Sequence, residues 1–181
     1  MNHLWRKRRP ALWKGIVAGL AGGLAGAYVM NQFQKGYAKA SEVLNAPTRN
    51  GGEKKQNQTS DSPDATMVTA DRLSRSFLGR PLNRDEKRKA GPMVHYVFAS
   101  AVGSVYGATA EYAPVVKKLA GMPFGAALFV GADEVALPVL KLSRGPREYP
   151  LSTHIYGLSS HIVYGLTIEL VRRAVRRALG S

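Results

Sequence analysis

The sequence predicts an all-α membrane protein with about four transmembrane helices in two hairpins, and a partly disordered loop with short amphipathic helices between spans one and two. Two observations predict this fold. The 181 residues contain four long stretches without a charged side chain, and many of the 19 glycines lie inside those stretches. The mean hydropathy of −0.18 therefore averages over very unequal parts of the chain.

The charge-free stretches have the length of membrane spans. Three of them hold 19, 21 and 20 residues and cover 15–33, 90–110 and 149–168. A hydrocarbon core about 30 Å thick needs about 20 helical residues, so each of these can cross it. The fourth, Leu119 to Ala132, holds 14 residues, and its apolar character resumes through Leu142 only after Asp133 and Glu134. A soluble bundle would show polar residues every three or four positions, and these stretches do not.

The first stretch has two interpretations. The basic residues 6–9 precede it, and Ala25-Gly26-Ala27 has the form of a signal-peptide cleavage site. The stretch of 19 residues is longer than the usual signal core of about 7–15 residues. We therefore expect an uncleaved membrane anchor.

Composition divides the remainder of the chain. Asn, Gln, Ser, Gly and Pro dominate the region after span one, which predicts a linker. Asn83 and Glu86 have capping-box spacing, so a short charged helix is expected to lead into span two. The predicted regions are a basic N-terminus with transmembrane helix 1 (1–33), a disordered linker (34–66), amphipathic interfacial helices (67–90), transmembrane helices 2–4 (91–173) and a basic C-terminal tail (174–181).

The chain is strongly basic, with 26 Lys and Arg against 12 Asp and Glu, a net charge of +14. These cations lie at span ends or in the long loop and accompany no nucleic-acid motif. Anionic lipid headgroups are therefore the expected partner, and nucleic acid is not. The positive-inside rule, with most weight on the first helix, places both termini in the cytoplasm. The chain has no Cys, which excludes disulfides and thiolate metal sites.

Small residues recur at a spacing of four, which favours close helix packing in membranes. The candidate packing positions are Gly15, Gly19, Gly22, Gly23 and Gly26 in span one, and Gly103 and Gly107 in span two. The partner helix is expected either in this chain or in a second copy, which would make the protein a homo-oligomer.

Spans two and four share an internal repeat. Residues 105–111 (Val-Tyr-Gly-Ala-Thr-Ala-Glu) and 163–169 (Val-Tyr-Gly-Leu-Thr-Ile-Glu) are identical at five of seven positions. Spans one and three both begin with Gly-x-x-x-Gly. The chain is therefore interpreted as two parallel helical hairpins, spans 1–2 and spans 3–4.

Ionisable residues inside spans are costly and are candidates for function. The predicted intramembrane polar cluster is His95, Asp133, Glu134, His154 and His161. Pro138 is expected to kink the third span and to free the carbonyl of Glu134. Three interpretations stay open for the cluster: a hydrogen-bonded packing network, a proton or ion relay, and a divalent metal site.

The remaining span acids have a simpler expected role. Glu111 and Glu169 lie near span ends, close in sequence to Lys117, Lys118, Arg172 and Arg173, so interfacial ion pairs are expected. No Ser-His-Asp arrangement, phosphate loop or dinucleotide fingerprint occurs. We therefore expect no enzyme, no catalytic residues and no cofactor. No metal ligands are assigned, because no spacing among the histidines fixes a metal geometry.

Four segments carry a resemblance to a known family. They are Gly91–Tyr96, Pro123–Gly125 with Asp133–Pro138, Tyr149–His154, and Ser160–Gly165. Together with span one, residues 67–173 resemble the YagU-like family of small bacterial inner-membrane proteins of unknown function. The resemblance implies a multi-pass inner-membrane protein with a suggested link to acid stress and with no established reaction.

Two functional hypotheses follow. In the first, the protein handles protons or small cations, or responds to acid stress, through the His/Asp/Glu cluster. In the second, it is a structural or scaffolding membrane protein that oligomerises through its glycine-rich helix faces and contacts anionic lipid with its basic segments.

Overall fold

The computed structural model describes residues 11–44 and 64–180, and these parts of the chain are helical, without a strand. The helices are α1 (Leu12–Leu44), α2 (Ala65–Leu78), α3 (Arg84–Tyr112), α4 (Met122–Leu128), α5 (Leu137–Val139) and α6 (Leu151–Ala178). A π-helical segment, Phe129–Ala136, joins α4 to α5. The all-helical class that the sequence predicts is confirmed.

Two segments are long and apolar enough to cross a membrane, Leu12–Ser41 and Pro114–Val139. They correspond to the first and third predicted spans. Helices α3 and α6 contain the second and fourth predicted spans, but they also carry charged residues at one end of each helix, at 84–89 and 172–177. Composition and length therefore support two of the four predicted spans.

The first helix is longer than the sequence predicts. The linker was expected to begin at residue 34, but α1 continues to Leu44. The predicted start of the linker is wrong. A charged or polar residue ends an apolar stretch but does not end a helix, because Lys, Ala and Glu are good helix formers. Tyr37 in the added turns packs on Tyr156 of α6, with ring centroids 4.9 Å apart. The predicted disorder of 45–63 lies outside the described residues.

Helix α1 packs against both α3 and α6 through its glycines. Backbone atoms of α3 lie directly against Gly15, Gly19 and Gly23, while Gly22 and Gly26 face Ile168 and Tyr164 of α6. A Cβ on Gly22 would lie 2.8 Å from the carbonyl oxygen of Ile168. The candidate packing glycines therefore contact helices of the same chain, and a second copy could reach these faces only by displacing α3 or α6.

The second hairpin repeats the packing of the first. The backbone of Gly107 contacts Gly15, and in the same way the backbone of Gly165 contacts Gly121. One turn along, Gly19 meets Gly103, and the equivalent Gly125 meets the backbone of His161. The equivalent residues of α3 and α6 are separated by 58 positions, which is the offset of the sequence repeat. The repeat thus corresponds to equivalent close contacts in the pairs α1–α3 and α4–α6.

Helix α2 lies antiparallel to the first turns of α3. It buries Ala70 and Ser74, and its end is marked by Gly79, whose left-handed φ of 69° suits glycine. Asn83 and Glu86 form the predicted capping box. The expected short charged helix is the start of α3 itself, which continues through Pro92 into the predicted second span.

Replacing a glycine at a helix crossing is predicted to destabilise the bundle. Gly19→Ala should lower the free energy of unfolding by about 1–3 kcal/mol, because its Cβ would overlap the backbone of Gly103. Gly36→Ala is the matched control, since nothing lies within 4 Å of that position and Ala is the better helix former. Thermal unfolding in detergent measures both. Equal transition temperatures for Gly19→Ala and wild type would contradict the packing.

The turn between α2 and α3 is predicted to weaken in acid. Arg80 donates to both carboxylate oxygens of Glu86, and the backbone N–H of Asn83 donates to one of them. These bonds lower the pKa of Glu86 from 4.5 to about 2. Because the folded pKa is the lower one, the stabilisation is complete above pH 4.5 and is lost as the pH falls through about 2. The protection of the backbone amides of residues 80–87 against hydrogen exchange, expressed relative to the intrinsic exchange rate at each pH, should therefore fall over that range.

The control for this prediction is Glu86→Gln, which should show weakened protection already at neutral pH. Protection that does not change between pH 4.5 and pH 2 in the wild type would show that the carboxylate does not hold the turn.

Candidate functional site

The two acids of the third predicted span lie in the π-helical segment Phe129–Ala136. In this segment the amide of Leu137 donates to the carbonyl of Ala132, five residues back, instead of four. The sequence predicts a kink at Pro138, and the structure instead has this wider turn directly before the proline. Single π-helical turns occur frequently at functional sites, and this one carries Asp133 and Glu134 toward α6.

Glu134 and His154 form the closest pair of the site. The Nδ1 atom of His154 lies 2.7 Å from Oε1 of Glu134, and its Nε2 lies 3.0 Å from the carbonyl oxygen of Pro146. A carbonyl only accepts, so Nε2 must carry a proton. Nδ1 then either carries a second proton and donates to a carboxylate, or accepts from a protonated Glu134. The pair therefore holds one proton between Nδ1 and Oε1.

His161 lies two turns farther along α6 and is paired less tightly. Its Nδ1 donates to the carbonyl of Gly157 at 3.0 Å and lies 3.8 Å from the Asp133 carboxylate. Its ring packs near Phe129, with centroids 5.6 Å apart. Asp133 thus provides a negative charge beside His161 without a direct hydrogen bond.

His95 is separate from these two pairs. Its Nε2 is buried and has no hydrogen-bond partner among the described residues. An unpaired buried imidazole nitrogen is unusual, because most buried polar side-chain atoms have a hydrogen-bond partner.

The paired residues line an open cleft of about 250 Å³ between α1, the π-helical segment and α6. Asp133, Glu134, His154 and His161 all line it, whereas His95 does not. Polar neighbours on its wall include Gln34, Ser143, Arg144, Thr153 and Tyr156. Four of the five residues of the predicted cluster therefore meet at one cleft, and His95 is not among its lining residues.

The donor set does not form a metal site. Within 11–44 and 64–180, no group of three or more His, Cys, Asp or Glu side chains is arranged to hold a metal ion. The metal interpretation of the cluster therefore has no geometric support. The observed arrangement is compatible with a proton relay and with a hydrogen-bonded packing network.

A second ionic network lies at the opposite end of the helices. Glu169, with none of its surface exposed, accepts from Tyr106 at 2.9 Å, from Arg172 at 2.7 Å and from Arg173 at 2.6 Å. Glu111 accepts two bonds from Arg176, at 2.7 and 2.8 Å. Ion pairs were expected here, but the partner of Glu111 was predicted among the nearby lysines. Its actual partner lies 65 residues away on α6.

Sequence reasoning missed Tyr106 and Arg176. The repeat was the available signal for Tyr106, because it makes Tyr106 and Glu111 equivalent to Tyr164 and Glu169. Arg176 lies seven residues after Glu169, so it occupies the same side of α6 two turns later.

These features define a helical protein with apolar segments long enough for a membrane and with an acid–histidine cleft. Residues 38–170 match the family of proteins of unknown function DUF1440, which is the YagU-like family. Because the match covers more than half of the chain, the chain belongs to that family. No curated protein and no solved structure matches it.

Proposed function

We propose that the chain is a multi-pass protein of the bacterial inner membrane, with α1, α3, the α4–α5 segment and α6 as four spans. The outward face of α3 supports this. Met93, Val97 and Val105 are 67%, 69% and 66% exposed within a stretch that has no charged residue for 21 positions. Such a continuous apolar surface is typical of a lipid-facing helix, not of a soluble bundle.

The helix directions are compatible with both termini in the cytoplasm. Lys14 at the start of α1 donates to the carbonyl oxygens of Leu179 and Gly180 at 2.6 and 2.8 Å. The start of α1 and the end of α6 therefore lie together. The positive-inside rule assigns this end to the cytoplasm and the cleft to the opposite half.

Cysteine labelling is the test of the four spans, and it is clean because the chain has no native Cys. With four spans, Ser76→Cys and Ser143→Cys should react with an impermeant reagent from one side and Lys117→Cys from the other. If only the two segments of high hydropathy cross the membrane, α3 does not cross it. Ser76→Cys and Lys117→Cys would then react from the same side. That second pattern would overturn the proposal.

We further propose that the cleft binds and passes on protons. The Glu134–His154 pair carries this proposal, because both ring nitrogens face acceptors and the pair must hold one shared proton. Histidine exchanges protons in the physiological range, and acids and histidines in series form proton relays in membrane proteins. Asp133 and His161, 3.8 Å apart, extend the series along the wall of the cleft. An acid-stress response would use the same residues.

Proton flux into liposomes tests the relay. Wild-type protein with a pH dye inside and an imposed potassium diffusion potential should acidify the vesicles faster than empty liposomes do. Asp133→Asn with Glu134→Gln should remove at least nine-tenths of that flux, because amides cannot carry the proton. Asp85→Asn is the control, since that carboxylate is exposed on α3 and lies outside the cleft.

Equal flux through wild type and the double variant would overturn the relay. The same assay with a sodium gradient separates proton handling from the transport of small cations, for which the carboxylates of the cleft are also suitable ligands.

The alternative is a structural membrane protein without transport or enzymatic activity. The close backbone contacts at Gly19 and Gly125 favour it, because they make the bundle itself rigid. An absence of flux in the wild type, with intact assembly, would support this alternative. Its proposed oligomer would have to use surfaces other than the glycine faces, which contact helices of the same chain.

A further inference from the structure

A groove between α2 and α3 lies outside the acid–histidine cleft. It is lined by Met67, Val68 and Asp71 from α2 and by Arg84 and Lys87 from α3. Its exposed surface is mainly apolar, and its volume is about 440 Å³. Met67 lies against Gly91, at the beginning of the charge-free stretch of α3. The apolar floor therefore continues directly into the proposed second span.

The charge around this groove is positive. Asp71 is the acid that lines it, and it is already engaged by Arg75 at 3.1 Å, Lys87 at 3.3 Å and the amide of Leu82 at 2.8 Å. The Leu82 amide is the main cause that lowers the pKa of Asp71, so this carboxylate is ionised at neutral pH. Arg84 is exposed and makes no ion pair with any described residue. Among the lining residues, one acid therefore faces two cations, and Arg84 is the cation without an ion-pair partner among the described residues.

The height of the groove relative to the proposed membrane matches the headgroup layer. At 1.5 Å per residue, Lys87 and Arg84 lie about 5 Å and about 9 Å before Ala90, the start of the charge-free stretch. The polar layer on each side of a bilayer is roughly 5–7 Å thick. A phosphate at that depth is within reach of both long side chains, and the acyl chain below it would continue along Met67 and Val68.

From these observations we infer that the groove binds one anionic glycerophospholipid, with its phosphate on Arg84 and Lys87 and an acyl chain on the apolar floor. This inference rests on the proposed membrane location and specifies where the basic segments meet lipid. A free phosphate would use the cations alone, whereas a phospholipid also uses the floor. The two sources are therefore separable by experiment.

Native mass spectrometry of the full chain in detergent tests the groove. With equimolar phosphatidylglycerol and phosphatidylcholine, the wild type should retain mainly phosphatidylglycerol. Arg84→Gln should lower its bound fraction at least threefold, while Arg84→Lys should keep most of it because the charge remains. Arg147→Gln is the matched control, since it removes one exposed charge from the same end of the bundle outside the groove.

Two further variants test the position of the lipid. Val68→Thr keeps the volume and adds a hydroxyl to the floor, so it should also weaken phosphatidylglycerol binding. Phe77 is an exposed apolar side chain on α2, ten residues and about 15 Å beyond Met67. Phe77→Ala should therefore leave phosphatidylglycerol binding unchanged. Inorganic phosphate should not displace the bound lipid.

Several results would overturn the inference: equal retention of both lipids by the wild type, unchanged binding by Arg84→Gln, displacement by inorganic phosphate, or a loss in Phe77→Ala as large as in Arg84→Gln. Arg84 has no partner among the described residues, so its replacement should leave the unfolding temperature unchanged. Release of the protein from membranes by alkaline carbonate would instead contradict the membrane location itself. Failure of the groove and failure of the proposed function are thereby distinguished.

Discussion

The close approach of helix backbones at glycine is the constraint on which the rest of the structure depends. Gly19 against Gly103, and Gly125 against the backbone of His161, leave no room for a side chain at either crossing. Inside lipid there is little hydrophobic driving force between helices, so dispersion contacts and weak hydrogen bonds at such crossings hold them together. The second crossing also fixes the backbone of His161, one of the residues that line the cleft.

The ionic network at the other end adds directional contacts to this packing. Glu169 is fully buried, and two arginines and a tyrosine satisfy its carboxylate. A buried ion pair is weak evidence for stability by itself, although removal of one partner costs about 3–5 kcal/mol because it leaves an unpaired charge. The network therefore mainly specifies which ends of α3 and α6 meet. The cleft lies toward the opposite end, between α1, the π-helical segment and α6.

The sequence predicted well what depends on local composition. The charge-free stretches locate the long helices, and Asn83 with Glu86 marks the beginning of α3, because capping is a local interaction. The end of α1 at Leu44 was missed because the apolar stretch ends before the helix does. The π-helical segment before Pro138 was also missed. The sequence predicted His154 and His161 in one cluster with Asp133 and Glu134, but only the packed structure pairs each histidine with its own acid.

The two hairpins related by the internal repeat pack in the same way but carry different ionisable residues. At the repeat offset, His154 and His161 correspond to Tyr96 and Gly103 of α3, so the first hairpin has no counterpart of either histidine. The matched glycine crossings similarly relate Asp133 and Glu134 to Ala27 and Tyr28 of α1. Both acid–histidine pairs therefore belong to the second hairpin, while α1 contributes one wall of the cleft. Changes in the first hairpin should thus act on the cleft through packing, whereas changes in the second act on its protons directly.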